Sequence, residues 1–503
     1  MPRYKQMPMH PCQVMLFGQS VNDALPADSD VRGFNDVMEC LDYSVIESKH
    51  SERGCPPYPP KVMVKILGYA YSNGLRSSRK IEHRLKVDVE YIWLAGGLKP
   101  DHNTISRFRK ENWQELDGLF RDSVRVCCEA GLVFLNAVAT DGTKMVAAAS
   151  KKRVYTESRL ERELAAVEEV LREAEEVDCA EDKLYGPGNG SQLPEHLRDA
   201  KSRKEKLQEI ANRLRESKKS SVVETDPESR VMLNKGGTRP CYNMQACVDA
   251  ESQVIVAMQL TQNENDVGLL PEMIQEVETN TGLSADLSLV DCGYANEETI
   301  KWLSENDHDV LMPLQENPQE SNRNDLFSSR CFLCDDKRDV LICPAGRELI
   351  FKGTYRTGSG HYSEYSARGC SSCSFCKQCV RKGKTSRTVS ISVVAKQRKK
   401  MRERLKSEEG RQLYALRKQT VEPVFGQMKF NHGFSRLSLW GFAGAAAETA
   451  LMCMAHNVMK CAKKAVYATH LAIAELIIWS TMHKAKLRNH DWIAISRRIT
   501  AGA

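Results

Sequence analysis

The sequence predicts an α/β protein with a mixed sheet flanked by helices, preceded by an all-helical domain. Two observations lead to this prediction. Between residues 131 and 318, apolar runs of strand length and helical patterns follow one another in the order strand, hairpin, helix, strand, helix and strand. Residues 50–130 show only short helical patterns, which Gly, Pro and capping residues separate. With 41% hydrophobic and 27% charged residues, the 503-residue chain has the composition of a globular protein with a sizeable core.

Charge is distributed unevenly along the chain. The net charge is only +6, but residues 377–418 contain 15 Lys and Arg against 3 Asp and Glu. Such a block indicates either a polyanionic partner or a solvated linker. The N-terminus shows no secretory signal and the longest apolar stretches carry Glu and His, so we expect a cytoplasmic protein without a membrane partner. The 18 cysteines then favour reduced thiols and metal binding over disulfides.

Changes in composition and pattern divide the chain into seven kinds of segment. They are an irregular N-terminal segment, a helical domain, a sheet-containing core in three pieces, a charged helical hairpin, a cysteine-rich insertion, a basic linker and a helical tail. Their ranges are, in that order, 1–49; 50–130; 131–149, 236–318 and 410–460; 150–235; 319–385; 386–409; and 461–503. The hairpin is either an arm for dimerisation or DNA wrapping, or a solvated spacer.

The helical domain contains a capped helix with cations along it. Asp101 is placed to cap a helix that ends near residue 116. We expect its cations to face outward, as in a helix-turn-helix DNA reader, and a plain bundle with a charged face is the alternative. These cations are Arg107, Arg109 and Lys110.

Two buried strands are each predicted to end on an aspartate. The apolar run 132–140 leads to Asp141, and the run 287–290 leads to Asp291; a glycine follows each acid closely. An acid at the end of a buried strand is well placed to hold a metal at the edge of a sheet. The alternative for Asp141 is a turn, because Asp-Gly is a hairpin signal.

A third acid, Glu422, lies in the segment Tyr414–Lys429 with cations on both sides. An exposed ion pair is the alternative to a metal-binding acid beside cations that hold a polyanion. Pro423 would kink a continuous helix at a cost of about 3 kcal/mol. The proline is tolerable if a new helix starts at Thr420, which places Pro423 in its first turn and Glu422 at a helix start or kink.

Three carboxylates without a histidine suit Mg²⁺ or Mn²⁺, which prefer oxygen ligands. Two such ions stabilise the attacking and leaving oxygens of an in-line phosphoryl transfer. The sequence has no Walker-type glycine-rich motif and no nucleophile elbow, so neither a nucleotide cofactor nor a serine hydrolase is predicted. Together with the order of strands and helices, these acids indicate an RNase H-like catalytic core.

Seven cysteines fall within residues 331–379 and include three C-x-x-C pairs. This spacing predicts one structural Zn²⁺ site with four thiolate ligands, and free thiols or an iron–sulfur cluster are the alternatives. Cys331 and Cys334 would complete a second site or stay free. The candidate ligands are Cys343, Cys370 and Cys373, with either Cys376 or Cys379.

The acids and their surroundings resemble the DDE transposases of bacterial insertion sequences, in the group with a Tyr-Arg-Glu-Lys signature. Asp141 in Ala-Thr-Asp-Gly-Thr-Lys matches the first acid of that family, Asp291 in Val-Asp-Cys-Gly-Tyr the second, and Glu422 the third. Residues 57–112 and the cysteine-rich insertion resemble parts of the same transposases. The likeness covers about residues 50–460.

The companions of the third acid in the signature are Tyr414, Arg417 and Lys429. The Glu-to-Lys spacing fits the signature. The Arg-to-Glu spacing is one residue longer than the pattern, so Lys418 remains an alternative to Arg417.

The resemblance implies that the protein cleaves double-stranded DNA at element ends and joins the exposed 3′-hydroxyls to target DNA. The three acids would hold Mg²⁺ or Mn²⁺, the signature cations would contact phosphates, and the helical domain would read the terminal repeats. The protein would work as a homodimer or larger synaptic complex. The alternatives are an RNase H-like nuclease that cuts without rejoining, and a zinc-containing DNA-binding protein from a decayed element.

Overall fold

The computed structural model describes ten ranges of the chain: residues 20–49, 57–185, 195–217, 219–234, 236–314, 327–328, 331–335, 338–357, 360–380 and 383–464. The chain divides into two compact units, Met1–Leu132 with Phe430–Ala503 and Val133–Lys429. The segment 410–460, which we grouped with the sheet, falls in both units. Most of the predicted tail lies outside the described residues. Among the helices described, none is long and apolar enough to cross a membrane.

The first unit is helical, as predicted for residues 50–130. Pro60 opens the third helix, where its missing N–H would have no partner in any case. Asp101 caps the sixth helix and accepts a hydrogen bond from Thr104 N at 2.6 Å. The helices are α1 (Asp30–Glu39), α2 (Ser44–Ser48), α3 (Pro60–Ser72), α4 (Ser78–Val87), α5 (Val89–Leu94), α6 (His102–Glu111), α7 (Trp113–Glu129) and a helix over 441–464.

The second unit contains the predicted mixed sheet. Its strands follow the order β4–β5–β1–β7–β8, and β6 pairs with β5 on the same side as β4. β1 is antiparallel to β5 and parallel to β7, and β7 is parallel to β8. The strands of this sheet are β1 (Val138–Val146), β4 (Arg230–Asn234), β5 (Gly237–Asp249), β6 (Ile255–Thr261), β7 (Ser288–Val290) and β8 (Val310–Leu311). Two further strands, β2 (Val154–Thr156) and β3 (Ser221–Val223), form a separate two-stranded antiparallel sheet.

The first strand differs from its prediction. β1 begins at Val138, six residues later than the apolar run, and continues beyond Asp141 to Val146. Its far end is paired because β5 is long enough to reach it, with Val146 opposite Cys241. Asp141 therefore lies within a strand and does not end it.

Among the described residues of the second unit, seven helices accompany these strands. The helices α8 and α9 form the predicted charged hairpin, which closes on an apolar cluster of Tyr155, Leu160, Leu207, Ile210, Leu214 and Val222. The segment predicted as a basic linker contains a regular helix, α13. The seven helices are α8 (Glu157–Tyr185), α9 (Glu195–Ser217), α10 (Leu270–Thr281), α11 (Glu297–Glu305), α12 (Cys376–Cys379), α13 (Ala395–Lys406) and α14 (Glu408–Gly426).

The cysteine-rich insertion, together with the start of the segment predicted as a basic linker, forms a separate five-stranded antiparallel sheet in the order β13–β12–β11–β10–β9. Its buried cluster is small and consists of Phe332, Leu341, Leu349, Tyr365, Ala367, Cys370 and Val389. The strands are β9 (Leu333–Asp335), β10 (Val340–Ile342), β11 (Glu348–Thr357), β12 (Gly360–Ala367) and β13 (Thr388–Ser392).

Candidate active site

The register of two parallel strands brings the two aspartates together. β1 pairs with β7 so that Thr140 lies beside Val290, and this is the last pair of the parallel ladder. Asp141 directly follows Thr140, and Asp291 directly follows Val290. Because residues in register on parallel strands point to the same side of a sheet, both carboxylates leave the sheet at one place.

Arg417 on α14 lies against both carboxylates. Its Nη2 atom is 3.0 Å from Asp141 Oδ1 and 3.8 Å from Asp291 Oδ2. Arg417 is 8% exposed, whereas Lys418 is exposed on the outer side of the helix. Of the two candidate cations, Arg417 and Lys418, Arg417 is therefore the one that faces the acids.

Burial and this ion pair act on the protonation of the site in opposite directions. Burial raises the pKa of Asp141 to about 6, although the Arg417 guanidinium opposes the shift; Asp291 and Asp266 add to it. For Arg417, burial lowers the pKa, but Asp141 and the other nearby acidic groups outweigh burial and leave it raised. The positive charge of Arg417 therefore offsets part of the negative charge of the two acids.

The helix that carries Arg417 continues through Pro423, so a new helix does not start at Thr420. A proline inside a helix leaves the carbonyl four residues earlier without its usual donor. Here that carbonyl belongs to Gln419, and the side chain of Gln253 donates to it at 3.2 Å. A partner from outside the helix thus offsets part of the cost of Pro423. A π-helical segment, Gln427–Asn431, follows directly.

Glu422 lies on an exposed part of α14. The buried face of α14 includes Arg417, Val421 and Val424, whereas Glu422 is exposed. In the part of the chain that the structure describes, no three His, Cys, Asp or Glu side chains form a group that could hold a metal ion. The geometry therefore brings two of the three predicted acids together.

The other two signature residues contact the backbone of the strands that carry the aspartates. Tyr414 Oη donates to Val290 O at 3.3 Å, directly before Asp291. Burial raises the pKa of Tyr414. Lys429 Nζ donates to Lys144 O at 2.9 Å, three residues beyond Asp141. Both residues therefore lie close to the aspartates in the same unit.

Sequence reasoning missed a fourth acid, Asp266, together with its partners. Asn243 Nδ2 and Gln245 Nε2 each donate to Asp266 Oδ1 at 2.7 Å, and both amide side chains are buried. A Cβ atom added to Gly142 would lie 2.5 Å from the same oxygen, so Asp266 packs against the residue after Asp141. Two polar residues at a spacing of two within the apolar strand β5 were the available signal.

The three cations predicted to face outward on α6 differ in their exposure to solvent. Arg107 and Lys110 are exposed, as expected. Arg109 is 2% exposed, and its guanidinium donates to Tyr71 Oη at 2.9 Å and to Ser78 Oγ at 2.7 Å. The expectation that Arg109 faces outward is therefore wrong. It follows the buried Ile105 by four residues and so shares its face of the helix.

The cysteine-rich segment has a cavity of its own. All five candidate ligands line one cavity of about 20 Å³, and Cys331 and Cys334 are exposed and do not line it. The five lining cysteines are Cys343, Cys370, Cys373, Cys376 and Cys379.

Two family models match the sequence. A model described as "Transposase DDE domain" matches residues 342–462, and a model described as "Transposase domain (DUF772)" matches residues 19–111. The first range includes Glu422 and the second includes α6, whereas Asp141 and Asp291 lie outside both. No curated protein and no solved structure matches the chain.

Proposed function

We propose that this chain, which belongs to the DDE transposases of insertion sequences, cuts DNA at the ends of its element and joins the exposed 3′-hydroxyls to target DNA. The observation that carries the proposal is the pair Asp141 and Asp291, which a parallel register places side by side against a buried arginine. The mixed sheet with helices supports an RNase H-like core for this chemistry.

Asp141, Asp291 and Glu422 would hold the Mg²⁺ or Mn²⁺ ions of this reaction. The donor set fits, because it consists of carboxylates only and two of them already converge on a positive charge. When bound, the ions activate the attacking water or 3′-hydroxyl and stabilise the leaving oxygen. Glu422 joins the pair if α14 bends near Pro423, where a proline and the following π-helical segment interrupt the regular hydrogen bonds.

Arg417 has two roles in this proposal. Without metal its single positive charge offsets part of the negative charge of the two aspartates, and with metal and DNA it would contact a phosphate near the cleaved bond. Lys429 and Tyr414 lie near the same acids and would hold the adjacent backbone. Contacts of this kind position DNA without reading its sequence.

Each of the two units has an exposed cationic surface that would contact DNA phosphates. Helix α13 carries Lys396, Arg398, Lys399, Lys400, Arg402, Arg404 and Lys406 and buries none of its residues. In the first unit, Arg107 and Lys110 are exposed on α6, within a helical domain that would read the terminal repeats. Cations in such numbers supply salt-dependent affinity for phosphates.

Cleavage of DNA that carries the sequences flanking the coding region tests the proposal. With Mg²⁺, Asp141→Asn and Asp291→Asn should each slow cleavage by about 1,000-fold or more, since several kcal/mol of charge stabilisation are lost. Binding of the same DNA, measured by gel shift, should persist. The control is Asp286→Asn, an exposed aspartate five residues before Asp291, and it should cleave normally.

The outcomes separate the alternatives. Strand transfer from pre-cut ends supports a transposase, whereas cutting without transfer indicates a nuclease. DNA binding by the wild-type protein without any cutting would identify a non-catalytic DNA-binding protein. Full cleavage by both aspartate variants would overturn the assignment of the acids.

A further inference from the structure

We propose that Asp266 is a positioning residue for Asp141 and Asp291, and that it acts by accepting hydrogen bonds from buried amides. This role rests on the proposed function, because Asp141 and Asp291 are the acids assigned there to DNA cleavage. Asp266 itself would touch neither the metal ions nor the DNA, and it lies outside the ranges that the two family models match.

Asp266 lies against the residues that follow both acids. A Cβ atom added to Gly142 would lie 2.5 Å from Asp266 Oδ1, and one added to Gly293 would lie 3.6 Å from Asp266 Oδ2. Gly142 directly follows Asp141, and Gly293 comes two residues after Asp291. Asp266 belongs to the loop between β6 and α10. One carboxyl group therefore packs against both segments from a third part of the chain.

Buried side chains of β5 hold the carboxylate in this place. Asn243 Nδ2 and Gln245 Nε2 each donate to Asp266 Oδ1 at 2.7 Å, and both amides are buried. Gln245 is the partner of Gly142 in the antiparallel pairing of β5 with β1. Lys144 Nζ approaches the same carboxylate oxygen to 3.8 Å. The carboxylate is thus bound where β1 and β5 pair, immediately after the first aspartate.

The acceptor oxygen of Asp266 fixes the orientation of the Gln245 amide. A carboxylate only accepts hydrogen bonds, so the NH₂ group of Gln245 must point toward it and the amide oxygen must point away. Gln245 Oε1 then accepts a hydrogen bond from Tyr294 Oη. Tyr294 is buried three residues after Asp291. Asp266 therefore acts on the second aspartate as well, through Gln245 and Tyr294.

These contacts join the two segments beyond the end of the strand ladder. The parallel pairing of β1 with β7 ends at Thr140 and Val290, one residue before each acid. After that pair, Asp266 and Gln245 connect the segments that follow the acids. A misplacement of about 1 Å in a catalytic group can cost ~100-fold in rate. We therefore expect loss of this connection to slow the cleavage step and to leave DNA binding unchanged.

Two substitutions at one position test this role. Both amides donate to a single oxygen, so Asp266→Asn can keep both hydrogen bonds through its own amide oxygen, whereas Asp266→Ala loses them. At saturating DNA and Mg²⁺, Asp266→Ala should cleave about 10- to 100-fold more slowly than wild type. Asp266→Asn should recover most of the rate, and a gel shift should show unchanged DNA binding for both. Glu264→Ala removes an exposed acid from the same loop and is the matched control, which should cleave like wild type.

A double variant tests whether the effect passes through Gln245. Tyr294→Phe removes the donor to Gln245 Oε1 and should also slow cleavage. Combined with Asp266→Ala, it should add little further slowing, because both changes release the same amide. If the two fold-changes multiplied instead, the route through Gln245 would be wrong.

The pattern of rates distinguishes positioning from other roles. Equal slowing by Asp266→Asn and Asp266→Ala would overturn the proposal, since a metal ligand needs the carboxylate itself. So would an Asp266→Ala protein that unfolds at lower temperature but cleaves at the wild-type rate, since its role would then be only structural. A wild-type protein that does not cleave would overturn the proposed function, and with it the reaction that Asp266 serves. An active wild type with an equally active Asp266→Ala would overturn this inference alone.

Discussion

The two aspartates and Glu422 differ in what fixes their positions. Asp141 and Asp291 follow paired residues of two neighbouring strands, so the hydrogen bonds of the sheet set their separation. Glu422 is exposed on a helix whose buried face presents Arg417 to the same acids. The comparison teaches that the sheet fixes two of the three proposed acids relative to each other without metal or DNA. In the proposed function, the third acid would join them only if the helix that carries it moved.

Removing the third acid should give the largest effect. We expect Glu422→Gln to slow Mg²⁺-dependent DNA cleavage by about 1,000-fold, since a carboxylate ligand is lost from the reactive complex. Without DNA, however, it should bind Mn²⁺ with unchanged affinity, because Glu422 and the two aspartates do not form a metal-holding group in the described structure. Calorimetric titration measures the second quantity. Glu409→Gln, at the exposed start of the same helix, is the control and should change neither property.

Weakened Mn²⁺ binding in free Glu422→Gln would show that the glutamate already belongs to the site in solution. The distinction between the sheet-held and helix-held acids would then fail.

We expect a smaller effect from a substitution at Gly142, which packs next to Asp141. A Cβ at Gly142 would lie 2.5 Å from Asp266 Oδ1 and would also overlap Gln245 Nε2. Gly142→Ala should therefore lower the free energy of unfolding by about 1–3 kcal/mol, the usual cost of overpacking. It should also slow cleavage by displacing Asp141. Urea unfolding monitored by circular dichroism measures the first effect.

Gly118→Ala is the matched control for this variant. Gly118 lies on α7 with open space around it, so alanine there should stabilise the helix by up to about 1 kcal/mol. If Gly142→Ala were as stable and active as wild type, the network around Asp266 would have no part in holding the sheet-borne acids.

The smallest effect concerns pH. The pKa of Asp141 is raised from its ordinary value of 3.8 to about 6, so between these values the folded protein holds a proton that the unfolded chain releases. The stability from this proton is complete below pH 3.8 and is lost as pH rises through about 6. Mg²⁺ competes with the same proton. It should raise the unfolding free energy by about 1 kcal/mol at pH 7.5, when present at several times its Kd, and by almost nothing at pH 5.

Thermal unfolding with and without Mg²⁺ at the two pH values checks this expectation. Asp141→Asn should remove the Mg²⁺ effect at both. Equal stabilisation by Mg²⁺ at pH 5 and pH 7.5 in the wild type would mean that the ion does not bind where Asp141 titrates.

Features with a local cause could be predicted from the sequence. The capping of α6 by Asp101 and the two buried strands before the aspartates depend on residues adjacent in the chain. No sequence pattern predicted that these two strands pair with each other, because strand register depends on partners far apart in sequence. The end of β1 was placed wrongly for the same reason, since the length of β5 decides it.

Two further differences came from partners that no local pattern reveals. The burial of Arg109 depends on Tyr71 and Ser78, which lie on or next to other helices. Pro423 remains within a helix because Gln253 supplies a donor for Gln419 O from another part of the unit. Asp266 was missed because it lies beyond the end of its strand, and only the folded chain places it against Gly142.

The pairing of Thr140 with Val290 also decides where the chain tolerates insertions and deletions. Between the two aspartates, the chain accommodates the whole hairpin of α8 and α9 without disturbing the strands. One residue added within Val138–Thr140 or Ser288–Val290 would instead turn an aspartate to the opposite face of the sheet, because side chains alternate along a strand. We therefore expect long insertions to be tolerated in the connection. The insertion or deletion of a single residue in either three-residue segment would instead separate the acids.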